Sequence, residues 1–200
     1  MNMEDKTDYL LNNHYFENEN FSKISLSDLD FVSKEFYRCN FNGCKLYDIN
    51  LKDCAFEKCH FDFCDLSLSE VPNSSFIDAN FTDSKLMGIN WSATGKTIIK
   101  VNFYDSNLNY CSFMGLNISG MEVIDCKATE VNFSDANLSN SCFKGTDLDG
   151  CHFSGSDLSH ANFAGAKNYS IDPNNVNLNE TKFSYPDIVG LLHQHDIVIE

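Results

Sequence analysis

Basic residues and long apolar runs are scarce in this 200-residue sequence. Fourteen lysines and arginines face 29 aspartates and glutamates, which gives a net charge of −15. A chain this acidic repels phosphate backbones, so direct nucleic-acid binding is not expected. No apolar stretch approaches the roughly 18 residues of a transmembrane helix, and Met1–Asn12 is polar and acidic. We therefore expect no membrane span, no secretory signal peptide and a cytoplasmic location.

Proline and tryptophan are also rare, whereas phenylalanine is abundant. The sequence has three prolines and one tryptophan against 17 phenylalanines. This imbalance indicates that one kind of site is filled repeatedly by the same side chain. A hydrophobic share of 42% is normal for a folded protein and argues against disorder. The length fits one domain or a short repeat array.

A five-residue repeat accounts for the phenylalanines. From Phe16, sixteen consecutive positions spaced by five hold a large apolar residue, ending at Trp91. At a hydrophobic share of 42%, chance produces such a run about once in a million. The next apolar position is Ile98, seven residues on, and the phase then continues to Phe163 and resumes at Leu178 and Phe183. We call these apolar positions stations. A two-residue insertion therefore interrupts the repeat.

A second column of mostly small residues lies two positions before each station. It holds eight of the nine cysteines, and the residue between the two columns is often Asn or Asp. Two inward positions followed by a turn match neither a helix nor a flat strand, but they fit a chain that bends at every repeat. Four bends complete a coil of 20 residues. Like side chains indeed recur at this spacing, as in Phe16, Phe36, Phe56 and Phe76.

The pattern of Ala136–Asn140 and Ala161–Gly165 resembles the pentapeptide-repeat family over about residues 14 to 183. The resemblance implies an all-β fold, a right-handed quadrilateral β-helix with stations and small residues inside. The repeat segments are 14–91 and 98–183, separated by a loop at 92–97. With coils about 4.8 Å apart, about eight coils make a rod near 40 Å long.

Both ends of such a solenoid must be covered, because open coils expose unpaired backbone. Residues 1–13 are the predicted N-terminal cap, with a short helix around Tyr9. Residues 184–200 predict a short helix and a strand. Their apolar positions favour pairing with a second copy in a homodimer, and the alternative is a tail that folds back on its own last coil. The predicted interface comprises Ile188, Leu191, Leu192, Ile197, Val198 and Ile199.

The insertion is the second candidate functional element. Loops that project from rigid scaffolds often carry function, and the alternative is a tolerated bulge. The candidate partner-binding residues are Ser92, Ala93, Thr94, Gly95, Lys96 and Thr97. Gly95-Lys96-Thr97 matches the end of a phosphate-binding loop, but the required upstream glycine is Asn90, so no nucleotide cofactor is predicted.

The cysteines predict no disulfide framework, because the expected compartment is reducing. Cys39 with Cys59 and Cys44 with Cys64 should lie in adjacent coils, where geometry alone permits a disulfide or a soft-metal site. Buried small fillers are the favoured interpretation, since cysteine shares its column with Ala, Ser and Val. No cofactor or metal is predicted, and no catalytic constellation is present, so we expect a protein that is not an enzyme.

Two functions remain open. An acidic rod of duplex-like width could enter a basic DNA-binding saddle as a DNA mimic. Leu86–Trp91, the loop after it and Phe183–Ile199 are similar in placement to Qnr-type pentapeptide-repeat proteins, which bind DNA gyrase and topoisomerase IV and protect them from quinolones. The resemblance implies a topoisomerase partner, a binding loop at Ser92–Thr97 and a dimer element at Pro186–Ile199. The alternative is a structural or adaptor scaffold for another protein.

Overall fold

The computed structural model describes residues 3–26, 31–94, 99–193 and 197–198. Within these ranges the chain begins with one α-helix and continues through short strands and two 3-10 helices. The helices are α1 (Met3–Asn12), η1 (Trp91–Thr94) and η2 (Asp187–Leu191). The strands are β1 (Tyr15–Glu17), β2 (Asn20–Ser22), β3 (Glu35–Tyr37), β4 (Asn40–Asn42), β5 (Ala55–Glu57), β6 (His60–Asp62), β7 (Ser75–Thr82), β8 (Ile99–Tyr104) and β9 (Val123–Ile124).

The strands stack in parallel, each on the strand one coil further along the chain. Phe16 is in register with Phe36, and Phe36 with Phe56. Strands of three residues or more occupy five successive coils. Beyond them isolated parallel bridges continue the stack, in a ladder of eight residues: Ser25, Lys45, Asp65, Lys85, Asn107, Lys127, Asp147 and Lys167. The parallel solenoid predicted from the repeat is therefore confirmed.

The interior of the coil is filled by stations in stacked columns. Phe36 and Phe56 lie with ring centroids 5.0 Å apart and planes 3° apart, and Phe41 and Phe61 are stacked at 4.7 Å. Rings on neighbouring sides of one coil meet edge to face, as Phe36 and Phe41 do at 5.3 Å. Such pairs add about 0.5–1.5 kcal/mol each to the free energy of burial.

The second column does more than fill space. Its hydroxyl and thiol side chains donate to the backbone carbonyl of the residue 23 positions earlier, which is a station of the preceding coil. Ser74 Oγ lies 2.6 Å from Leu51 O, and Thr146 Oγ1 lies 2.7 Å from Val123 O. Cysteine, serine and threonine in this column therefore link neighbouring coils. The sequence predicted only their size.

The Asn or Asp before each station closes the turn on the outer surface. Asn132 Oδ1 accepts a hydrogen bond from the Ser134 backbone N–H at 2.9 Å, in a local turn that these side chains favour. The residue two positions after a station then forms the corner with a positive φ, 58° at Asp135. Asn, Asp and Gly tolerate this conformation best, which explains their frequency at corners.

The insertion is absorbed partly in the coil before it. Strands β7 and β8 change register between Ile77 and Ala79, a bulge that lets Ile99 pair with Phe76 while Phe81 still pairs with Phe103. Ile99 is buried. The station predicted at Ile98 lies outside the described residues.

Helix α1 covers the first coil. Leu10 is buried, and the Tyr9 ring meets the Phe16 ring edge to face at 5.4 Å. The buried Lys34 ammonium donates to Leu11 O at 3.1 Å and Asn13 O at 2.7 Å, at the C-terminal end of the helix. Cations are favourable at that end of a helix dipole. Desolvation lowers the pKa of Lys34.

Helix η2 lies against the last coil. Gly190 is buried beside Tyr169, and the Ile171 N–H donates to Gly190 O at 3.1 Å. A side chain at Gly190 would overlap the Tyr169 ring and carbonyl. Ile197 and Val198 belong to no strand in the described part of the single chain.

Candidate partner interface

The first half of the predicted loop is built into the side of the solenoid. Trp91 and Thr94 are buried, and Thr94 Oγ1 donates to Trp91 O at 2.7 Å. Ala93 O accepts from the Asn73 N–H at 3.1 Å, and Ser92 Oγ donates to Met114 O at 2.9 Å. Ser92–Thr94 are therefore fastened to the coils on both sides. Gly95, Lys96 and Thr97 lie outside the described residues.

An apolar patch of Leu68, Tyr110 and Met114 lies beside these residues. Their exposed fractions are 48%, 61% and 50%. Leu68 and Tyr110 belong to one stack of corners, and Gly88 lies between them, with its own Cα close beneath the Leu68 side chain. A surface cavity of about 400 Å³ opens here, lined by Leu68, Ser69, Glu70, Val71, Pro72, Gly88, Asn90 and Ala93. The patch and the insertion thus form one continuous surface, which we call the insert surface.

The sequence analysis did not identify this patch, although a signal was present. Leu68 and Tyr110 occupy corners with φ of 62° and 64°, where large residues are uncommon. An apolar side chain that is both exposed and held in this conformation contributes little to folding. Apolar residues at the corner position of the five-residue register would therefore have revealed it.

Charge is distributed unequally over the surface. Asp83, Asp105 and Asp125 stack at the same corner of successive coils and form an acidic row. A neighbouring side of the rod instead carries Lys45, Lys85, Lys127 and Lys167, which alternate with Asp65, Asn107 and Asp147 along the bridge ladder. We call this the lysine row. The sequence predicts an even acidic coat, whereas the coil places these lysines on one side.

The predicted dimer residues form an exposed apolar end. Ile188, Leu192 and Ile197 are exposed, and Val198 is 90% exposed. Leu191 instead packs partly against the core, and Ile199 lies outside the described residues. Tyr185, which the sequence analysis did not include, adds a further exposed ring.

The described part of the chain has no group of three or more His, Cys, Asp or Glu side chains arranged to hold a metal ion. None of its helices has the length and apolar character needed to span a bilayer.

The sequence matches the pentapeptide repeat region family over residues 34–95 and 97–163. Full-length QnrB1, a plasmid-mediated fluoroquinolone resistance protein, superposes with a TM-score of 0.52 at 22% identity, over 92% of this chain and 90% of that one. A trypsin-treated variant of QnrB1 gives 0.51 at 21% identity, over 94% and 92%. HetL, a pentapeptide repeat protein involved in heterocyst differentiation regulation from the cyanobacterium Nostoc sp. strain PCC 7120, gives 0.38 at 15% identity, over 91% and 94%. No curated protein matches the sequence.

Proposed function

Because the chain belongs to the pentapeptide repeat family, we propose that it is a non-catalytic binding protein whose partner is a type II topoisomerase, DNA gyrase or topoisomerase IV. Binding would protect that enzyme from quinolones or similar poisons. The observation that carries the proposal is the insert surface, an exposed apolar patch beside the only break in the register of an acidic rod. The likeness to QnrB1, whose name describes fluoroquinolone resistance, supports the choice of partner.

Electrostatics and apolar contact would have separate roles. B-DNA carries a charge about every 1.7 Å, so about 40 Å of duplex has about 24 charges. The rod has fewer, at −15, and the acidic row presents them at one corner. Complementary charge raises the association rate, whereas exposed aromatic and aliphatic anchors lower the dissociation rate. The acidic row would thus steer the rod to a basic saddle, and the insert surface would hold it there.

The second part of the proposal is a cytoplasmic homodimer formed through residues 186–199. Ile188, Leu192 and Val198 expose apolar area at one end of the rod, and a two-fold contact would cover it. A dimer of end-to-end rods would also double the acidic length offered to the partner.

A DNA supercoiling assay with purified gyrase tests the topoisomerase proposal. We expect this protein to restore supercoiling in the presence of a quinolone, and to do so less well at high salt. The critical variant is Leu68→Asn with Tyr110→Asn, because asparagine suits a positive φ and removes only the apolar surface. Phe63→Asn is the matched control, since Phe63 is equally exposed at another corner with φ 55°.

The expected result is loss of protection in the double variant and full protection in the control. Inhibition of supercoiling without the drug would support binding but overturn protection. Absence of any effect at tens of micromolar protein, with the fold intact by circular dichroism, would overturn the topoisomerase partner and favour an adaptor scaffold.

A further inference from the structure

Two pairs of thiols are stacked in adjacent coils. The registers Phe41 with Phe61 and Lys45 with Asp65 place Cys44 directly beneath Cys64. The pair Cys39 and Cys59 is aligned in the same way on the other side of strands β4 and β6. All four thiols are free and buried.

The Cys44/Cys64 pair opens into a surface cavity. This cavity of about 280 Å³ is lined by Gly43, Cys44, Lys45, Tyr47, Phe63, Cys64, Asp65, Asp83 and Lys85. Gly43 forms the corner at its mouth with a φ of 62° and has no side chain to block entry. A small ion can therefore reach both sulfur atoms, and two lysines lie on the same lining.

The surroundings favour loss of a proton at this pair. A hydrogen bond from Cys64 lowers the pKa of Cys44, and the pKa of Cys64 is raised because the two thiols share the first negative charge. The cations of Lys45 and Lys85 would stabilise a thiolate in the cavity. A thiolate is the form that binds soft metal ions.

Geometry distinguishes a metal bridge from a disulfide. Side chains stacked in register keep their Cβ atoms near the strand spacing of about 4.7–4.9 Å. Disulfides need Cβ atoms about 3.5–4.5 Å apart, so one here would require the coils to move together. Two metal–sulfur bonds of about 2.3 Å in a linear bridge span about 4.6 Å, which matches the spacing without movement.

We propose that Cys44 and Cys64 form a two-coordinate site for a soft monovalent d10 metal ion, Cu(I), which enters through the cavity beside Lys45 and Lys85. Binding replaces two S–H bonds by two Cu–S bonds and releases two protons to solvent. The resulting anionic bis-thiolate centre is balanced by the two lysines, and no oxidation state changes. This inference does not depend on the proposed function.

The test is an anaerobic titration of the reduced full-length protein with Cu(I), in competition with a chromophoric Cu(I) chelator. We expect one equivalent to bind, with a sulfur-to-copper charge-transfer band in the ultraviolet and two sulfur ligands by X-ray absorption. Cys44→Ser with Cys64→Ser should weaken binding at least tenfold. Cys39→Ser with Cys59→Ser is the matched control and should retain it.

Serine is suited to both variants, because Ser84 occupies the same column one coil above Cys64 and donates to Phe61 O at 3.1 Å. Melting temperature and circular dichroism verify that each variant is folded, and Cys44→Ala alone gives a second test if the double variant is not. Equal loss of copper in both double variants would overturn the assignment. So would failure of the unaltered protein to compete with the chelator, or binding that survives in Cys44→Ser with Cys64→Ser.

Discussion

At single residues, the corners show most directly how one coil constrains the next. Gly145 has a φ of 72°, and the Asp125 carboxylate of the preceding coil lies over it. Gly120 has a similar φ of 75° but nothing within 4 Å of the position where a Cβ would lie. The two glycines therefore separate the cost of backbone conformation from the cost of a blocked space.

We expect Gly120→Ala to lower the free energy of unfolding by about 1–2 kcal/mol, the cost of an L-residue in the left-handed region. Gly145→Ala should cost more, because its methyl group also meets Asp125. Urea unfolding followed by circular dichroism measures both. Adding Asp125→Ala to Gly145→Ala should return the loss to the Gly120→Ala value. Equal losses in the two single variants would show that the carboxylate moves away freely.

Buried thiols predict a fall in stability at alkaline pH. Burial raises the pKa of Cys111 and of Cys151 to about 12, above the ordinary thiol value of 9.0. Below pH 9 both states keep the protons, so pH has no effect through these groups. Above it the unfolded chain loses its protons first, and stability falls by about 1.4 kcal/mol per pH unit for each thiol until the folded pKa is reached.

Thermal melts at a series of pH values from about 8 to about 11 measure this slope. Cys111→Ala with Cys151→Ala should flatten it, because alanine already occurs in the same column. Cys142→Ala is the control, since Cys142 is only partly buried. An unchanged slope in the double variant would contradict the prediction.

Among the elements, helix α1 depends on one buried cation. Lys34 joins its last turn to the first coil through Leu11 O and Asn13 O. We expect Lys34→Ala to destabilise the N-terminal end by about 1–3 kcal/mol, the usual effect of leaving buried carbonyl groups without donors. Hydrogen exchange should show faster exchange in α1 and the first coil, with later coils unchanged. The exposed Lys52 provides the control, and equal effects of Lys34→Ala and Lys52→Ala would exclude this role.

The sequence predicts the coil well, because the stations, the small column and the turn residue repeat with a fixed period. It could not predict the path at the insertion. The position of Ile99 depends on a bulge between Ile77 and Ala79, more than 20 residues earlier and one coil below. The burial of Thr94 likewise follows from contacts with neighbouring coils. Local patterns contain no information about such contacts.

The insert surface was hidden for the same reason. Leu68 and Tyr110 are distant in sequence and become neighbours only because coils stack. The loop prediction located the region, yet its described residues Ser92–Thr94 are held in the solenoid rather than projecting from it. The exposed groups beside them were recognisable only as exceptions to the corner rule.

For the whole molecule, the exposed apolar end predicts an oligomeric state. Ile188→Asp with Val198→Asp should convert a dimer into a monomer, because two buried carboxylates would have no partners in the contact. Light scattering after size exclusion measures the mass. Asp substitutions at the exposed Tyr47 and Met114, away from the end, serve as the control. A monomeric mass for the unaltered protein at all concentrations would contradict the prediction.

The lysine row shows how such a rod can grow. Its lysines recur on every second coil, whereas the stations recur on every coil, so the surface repeats over a unit twice as long as the core. Duplication of a whole coil preserves the identity of all four sides and extends each by one residue pair. Duplication of a single five-residue repeat would instead move every later side chain to the adjacent side and break the row. Selection acting on the surface would therefore accept changes in length by pairs of coils, while selection for folding alone would accept any whole coil.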